Sequence, residues 1–458
     1  MYKVILAIRY LLKRKISYFS VAATALCVFV VLVVITVLSG LTSQFKDKTH
    51  LSSGDCIVSS RSLVGFPYYD EFIDILKKEQ IVAAASPVIK SYAIVHGITE
   101  SGLRRVFQND YPKEIMGIEP AAHSQVTEFG RWLCYNKANA QNVFKQSPDS
   151  LDPNLAGCVS GIGLIFERDS QGNYEIAPEL PRLKVEVSSF ALTAKGALAR
   201  AGAGEVNTKT FYLSDTAQSG VSGDWSRFYL PFDQAQMLCG MATGPKRINA
   251  IFVKFRPGIR LEAGCEKVKL LWERFVKSKS GASQAELLEN VRVQSWKIYN
   301  RSVVAVAETQ QALMIIVFGM IGIITVFVVF VVFYMIVGHK TKDIGVLKSV
   351  GVSNGGVLML FLGFGFLVGV LGSGAGAIAG WQFLVHINRI EDWLFVRFGF
   401  QLWDRTIYAI GDIPNAIDLK VLAGIILSAI AACLAGVWIP SRQAARLRPV
   451  ETLQVSQL

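Results

Sequence analysis

The side chains of this 458-residue chain that could do chemistry are seven cysteines, five histidines and its carboxylates, and their spacing supports little catalysis. His50, His96, His123, His339 and His386 are scattered, and none begins an H-E-x-x-H pair, which would put two imidazoles on one helix face for zinc. No Gly-Lys dipeptide occurs. This excludes a G-x-x-x-x-G-K-[ST] loop, whose lysine reaches the terminal phosphates of ATP. Cys27 and Cys433 fall in apolar runs, whereas Cys56, Cys134, Cys158, Cys239 and Cys265 share one long polar segment without a C-x-x-C. In an oxidising compartment these five allow one or two disulfides, and their irregular spacing does not select the pairs. Asn300-Arg301-Ser302 has the form of a glycosylation acceptor, a pattern frequent by chance. The residues describe a non-catalytic protein, with no metal and no cofactor of its own.

The elements that would position these side chains belong to a membrane protein. Val21–Leu41, Gln310–Gly338, Val357–Val385 and Val421–Pro440 contain no charge. The chain is 52% hydrophobic, with a mean hydropathy of +0.38. A helix rising ~1.5 Å per residue crosses a hydrocarbon core of ~30 Å in about 20 residues, so each run is long enough to span. Within lipid each must be helical, because unpaired backbone groups cost several kcal/mol there. The first run follows Lys13-Arg14-Lys15 but is too long for a signal peptide and lacks an A-x-A site, so it reads as a retained span. Asp and Glu are absent from the cores of the four runs, which argues against an ion-coupled carrier.

The net charge of +12 would point to nucleic acid in a soluble protein, but here much of the excess flanks the apolar runs. Lys3, Arg9 and Lys13–Lys15 precede the first, Lys340, Lys342 and Lys348 follow the second, and Arg442, Arg446 and Arg448 follow the fourth. The positive-inside rule then puts both termini and the 339–356 loop in the cytoplasm, and segments 42–309 and 386–420 outside. The expected order is an interfacial amphipathic helix over 1–16, spans over 17–41, 310–338, 357–385 and 421–440, and a tail over 441–458. The fold class is four transmembrane α-helices in a one-plus-three layout, with a large mixed α/β extracytoplasmic domain between the first and second.

Within that domain the periodicity predicts helices over Asp70–Gln80 and Glu262–Lys277, and strands over Ala250–Phe255 and Asn290–Trp296. Residues 136–182 read as long loops, and the small residues of 193–209 as a hairpin tip or disordered insertion. The third span carries Gly365, Gly369, Gly372, Gly376 and Gly380, three or four apart on one helix face. Such a stripe lets another backbone approach closely, either a neighbouring span or a second subunit.

The most specific stretch is Gly338–Gly351, GHKTKDIGVLKSVG. Lys342, Asp343, Ile344, Leu347 and Lys348 fit a short amphipathic helix, which either docks in a partner groove or rests on the lipid headgroups. The stretch resembles the E-K-T-x-E-I-G-x-L-K-A-x-G segment of the FtsX-like permease superfamily, which includes the MacB-type and lipoprotein-releasing permeases. His339 and Asp343 stand where that segment has acidic residues. The ending Pro440–Leu453 is similar to the P-A-R-R-A-A-R-L-x-P-V-E-A-L terminus of those permeases, and Ile8-Arg9-Tyr10-Leu11 fits their start. Val291–Trp296 with Asn300, Arg227–Met241, and Tyr408 with Ile413-Pro414 resemble the lipoprotein-releasing (LolC/LolE-like) branch.

The resemblance implies the permease subunit of an ABC transporter in a bacterial inner membrane. ATP would be bound by a separate cytoplasmic ABC ATPase dimer, and a second permease subunit, identical or homologous, would stand beside this one. Lys342, Asp343, Ile344, Leu347 and Lys348 would form the ATPase-coupling helix. The substrate would be a lipoprotein, extracted from the membrane and passed to a periplasmic carrier, with no role for nucleic acid. The alternative within the superfamily is a mechanotransmission permease acting on a cell-wall hydrolase or an efflux partner. A membrane-anchored sensor without an ATPase is a third reading.

Overall fold

A computed structural model describes residues 15–99, 104–106, 111–145, 155–167, 174–198, 206–220, 226–339, 341–399 and 413–446. Segment 1–14, the tail after Arg446, residues 199–205 and residues 400–412 lie outside that range. The chain divides into two compact units. One comprises residues 1–43, 305–403 and 412–458; the other comprises 44–304 with 404–411.

Among the described residues, four helices are long and apolar enough to cross a membrane. They are Lys15–Leu51, Arg301–His339, Asn354–Phe398 and Leu419–Arg446, called here the first to fourth helices. The third does not stop at Val385, where the charge-free run ends, and residues 386–398 are helix rather than loop. Arg389, Glu391, Asp392 and Arg397 end the hydrophobicity without supplying a helix breaker. The break comes at Gly399, which takes φ 64 and donates its N–H to Phe395 O at 2.9 Å. A left-handed residue at this point costs glycine nothing and satisfies a terminal carbonyl. At ~1.5 Å per residue, the 45 residues of this helix span about 68 Å.

The second unit is a mixed sheet covered on both faces. Its strands are β1 (Cys56–Ser60), β2 (Phe66–Pro67), β3 (Val82–Thr99), β4 (Arg104–Val106), β5 (Lys113–Ile118), β6 (Gly157–Gly161), β7 (Leu183–Phe190), β8 (Val206–Ala217), β9 (Arg227–Pro231), β10 (Arg247–Ile248), β11 (Ala250–Phe255) and β12 (Val291–Ser295). The main order is β12-β1-β11-β3-β5-β9-β6-β8-β7, with β4 on β3, and β2 pairs only with β10. β3 also pairs with β7 through Ala93–Thr99, so β3, β5, β9, β6, β8 and β7 form a closed circuit of hydrogen-bonded neighbours. Closure leaves those strands fewer free edges to aggregate.

Alternation along the strands divides the apolar residues between two cores. Cys56 and Val58 of β1, Phe228 and Leu230 of β9, and Ile251 and Val253 of β11 enter one cluster. Ile57, Tyr229, Ala250 and Phe252 enter the other. A strand's period of two requires this split, and both faces are apolar because both are covered. Helix Tyr69–Lys78 buries Phe72, Ile73 and Leu76 on the first face, and helix Leu261–Ser278 buries Val268, Trp272 and Phe275 there. The expected strand–helix–strand near 250–296 is present as β11, that helix and β12. Two expectations fail in part. Residues 157–161 are a buried strand inside the stretch read as loops, and 206–209 begin β8 rather than extend a flexible tip. In both places the strand is held by partners distant in sequence, which a local reading of Gly and Ser content does not see.

Candidate functional site

The segment expected to couple to an ATPase forms a helix, Thr341–Ser349. Gly351 ends it at φ 97, with its N–H bonded to Lys348 O at 3.0 Å. Ile344 does not present itself to a partner. It is buried with Phe333, Ile336, Phe361, Phe364, Ala444 and Ala445 in the apolar cluster of this unit. Its part is to seat the helix. Lys348 Nζ donates to Ala445 O at 2.7 Å, placing a positive charge on the last turn of the fourth helix, where the macrodipole favours it. Lys342, Asp343 and Leu347 belong to the same helix. Among the described side chains, Val346, 52% exposed, and Val350, 80% exposed, are apolar and lie outside the cluster. Neither was singled out from the sequence, although Val346 stands two residues past Ile344 and so on a different helix face. The two stretches that resembled permease motifs, 338–351 and 440–453, therefore meet in one cluster through Ile344, Ala444 and Ala445.

The five glycines of the third helix face two different helices. A Cβ on Gly365 would stand 2.7 Å from Val437 Cγ2, and one on Gly369 would stand 3.1 Å from Ile430 Cα, both in the fourth helix. Further along, a Cβ on Gly372 would stand 2.7 Å from Thr24 Cβ, and one on Gly380 2.8 Å from Leu32 Cδ2, both in the first helix. Gly376 lies against the Ala25 carbonyl and Val28 of that same helix. Where the stripe changes partner, Thr24 Oγ1 and Cys433 Sγ are 3.6 Å apart, so the first and fourth helices also touch. The stripe thus packs neighbouring spans of this chain. Gly436 of the fourth helix extends the same device, facing the Val326 carbonyl and Val329 of the second.

Gly351-Val352-Ser353-Asn354-Gly355 has the Gly-x-Ser-x-Gly spacing of a nucleophile elbow. It follows a helix instead of a strand, and Ser353 Oγ accepts from Gly356 N at 3.2 Å as the N-cap of the third helix. That hydroxyl is a cap.

The α/β unit pairs several of its buried charges. Glu114 accepts from Arg227 Nε at 2.8 Å and Nη2 at 2.7 Å, and Lys90 Nζ donates to Tyr299 Oη at 2.9 Å. Glu114, Lys90 and Tyr299 line a cleft of about 240 Å³ with Ser59, Arg61 and Tyr92. Burial alone would raise the Glu114 carboxyl, but the charges of Arg227 and Lys90 outweigh it and hold the group below its ordinary range. His123, wholly buried against Phe129 and Phe252, is pushed down to about 3, first by burial and then by Arg227 and Lys90. A general base poised near neutral is supplied by neither. Arg247 is fully buried and donates to Val64 O, Leu192 O and Gly240 O at 2.8–3.0 Å, which fastens three loops. Asn300 Nδ2 is committed to Ser53 Oγ and Trp296 O, each at 3.0 Å, so the amide of the apparent glycosylation triplet is in use. Among the described residues, no group of three or more His, Cys, Asp or Glu is placed to hold a metal.

Residues 315–449 match the FtsX-like permease C-terminal family. That span takes in most of the second helix, the 341–349 helix and the whole of the third and fourth. This part of the chain is an FtsX-like permease domain. Similarity extends beyond it. The chain is 23% identical over 443 residues to the lipoprotein-releasing system transmembrane protein LolC of Xylella fastidiosa strain Temecula1, covering 96% of this chain and 94% of that protein. It is 26% identical over 164 residues to the protein of the same name from Neisseria meningitidis serogroup B, covering 36% of this chain and 40% of the other. Among solved structures, the periplasmic region of MacB from Actinobacillus actinomycetemcomitans aligns with 55% of this chain and 93% of that one, at 11% identity and a TM-score of 0.28. In the FtsX-like permease domain, the buried Ile344 and the Lys348–Ala445 hydrogen bond join the short helix to the third and fourth helices of the same domain.

Proposed function

We propose that this chain is the permease subunit of an ABC transporter that extracts lipoproteins from a bacterial inner membrane and passes them to a periplasmic carrier. The observation that carries the reading is the similarity to LolC, which runs through the α/β unit as well as the FtsX-like permease domain and covers 96% of the chain. The flanking charges support an orientation with both termini and the 341–349 helix inside and the α/β unit outside. A cytoplasmic ATPase dimer then engages the 341–349 helix, with Lys342, Asp343, Leu347 and the exposed Val346 and Val350 at the contact. Ile344 and Lys348 transmit its displacement, since one is buried with the third and fourth helices and the other is bonded to Ala445. A second permease subunit, identical or homologous, completes the membrane part. The chain supplies no catalytic group, and ATP is bound by the partner.

Purification of the full chain from native membranes in mild detergent tests the assignment. The expected result is co-recovery of an ABC ATPase together with acylated polypeptides. Recovery of a cell-wall hydrolase or an outer-membrane channel in their place would favour the mechanotransmission reading. Recovery of no ATPase would contradict both and favour a sensor.

A further inference from the structure

Cys56 and Cys265 are 209 positions apart in sequence, yet the fold brings their thiols together. Cys56 opens β1 and is fully buried in the strand-face cluster, against which Cys265 packs from the first turns of helix Leu261–Ser278. A chain of contacts fixes the approach. Asp55, beside Cys56, accepts the Phe255 N–H through Oδ2 at 2.7 Å, and the next residue pair, Cys56 and Val253, is in register across β1 and β11. The Phe255 ring lies under Gly264, where a Cβ would stand 2.6 Å from ring Cε2. Only a residue without a side chain lets the helix sit this low, and the next residue is Cys265. The two side chains come within hydrogen-bonding reach of each other.

We propose that Cys56 and Cys265 are a redox pair that closes to a disulfide in an oxidising compartment, fastening helix Leu261–Ser278 to β1. The in-cell part rests on the proposed placement of the α/β unit outside the membrane. The roles of the two thiols differ. Cys265 is part exposed, and hydrogen bonding with Cys56 lowers its pKa against the effect of burial, so it is the member an oxidant can reach. Cys56 is raised, by the same bond and by burial. The oxidant is a protein or low-molecular-weight disulfide, R–S–S–R. The Cys265 thiolate attacks one sulfur and releases R–S⁻, forming a mixed disulfide. Cys56 then gives up its proton and attacks Cys265 Sγ, displacing the second R–S⁻. Two thiols are oxidised, one disulfide is reduced, and two R–S⁻ leave with the two protons.

The test is non-reducing peptide mapping of the full chain, alkylated with iodoacetamide, once in native membranes and once after purification and treatment with oxidised glutathione. The expected result is a Cys56–Cys265 cross-linked peptide in both, and a thermal midpoint that a reductant lowers in the wild type and leaves unchanged in Cys265→Ser. Alkylation of both thiols in the glutathione-treated protein would overturn the proposal, whatever Cys56→Ser does to folding. A cross-link that forms in the purified protein but is missing from native membranes would uphold the pair and count against the external placement of the unit.

Discussion

Val346→Glu is expected to reduce the ATP hydrolysis stimulated in the assembled membrane complex at least tenfold, while the chain still inserts and folds. Val346 is exposed and away from the apolar cluster that seats its helix, so the substitution removes no internal contact. Surface changes of that kind usually stay within about 0.5 kcal/mol of stability. In a partner groove, however, the new carboxylate must be desolvated without a counter-charge, at a cost of several kcal/mol. A loss of about 1.4 kcal/mol in docking is already tenfold. Ile344→Ala makes the informative comparison, because it truncates a buried side chain and should cost about 2–5 kcal/mol of stability before any effect on the partner. Paired ATPase and thermal-unfolding measurements separate the two. Undiminished stimulation in Val346→Glu would remove this face from the contact.

Gly376→Leu is expected to be among the most damaging single changes in the membrane unit. The added side chain would meet the Ala25 carbonyl and Val28, and a helix backbone cannot give way as a flexible side chain does. Overpacking commonly costs about 1–3 kcal/mol, and contact with backbone puts this site at or above the upper end. For a unit the size of the membrane unit, unfolding on its own, the apparent melting midpoint should fall by roughly 6–12 °C for a loss of about 3 kcal/mol. Gly374→Leu is the control, since nothing lies within 4 Å of a Cβ there. Equal losses in the two variants, measured in detergent or nanodiscs, would mean that the stripe is not a packing face.

These two sites also mark what local pattern carries and what it leaves out. The glycine spacing is local, so it defines one helix face; that Gly365 and Gly369 meet the fourth helix while Gly372, Gly376 and Gly380 meet the first depends on how three spans cross. The apolar face expected at 341–349 is real, but its inward part is set by Ala444 and Ala445, about a hundred residues later. The strand, helix and strand from Ala250 to Ser295 are legible because a short apolar run closed by Pro257-Gly258 reads as a strand and the helix between buries one face at a period of 3.6. The continuation of the third helix to Phe398 was not, because charge ends an apolar run without ending hydrogen bonding. The closed strand circuit and the meeting of Cys56 with Cys265 come from pairing across long stretches of chain, which composition and spacing do not encode.

On the proposed function, ATP hydrolysis at the cytoplasmic face drives lipoprotein out of the membrane through this chain. Its most direct test is transfer in a reconstituted system. The full chain, its co-purified ATPase and any paired permease are placed in lipid nanodiscs with an acylated lipoprotein. The lipoprotein is then followed into the aqueous phase, in the presence of a soluble carrier, before and after ATP is added. The predicted result is ATP-dependent transfer that falls with stimulated hydrolysis in Val346→Glu. Vigorous ATP hydrolysis with the lipoprotein still held in the membrane would contradict it.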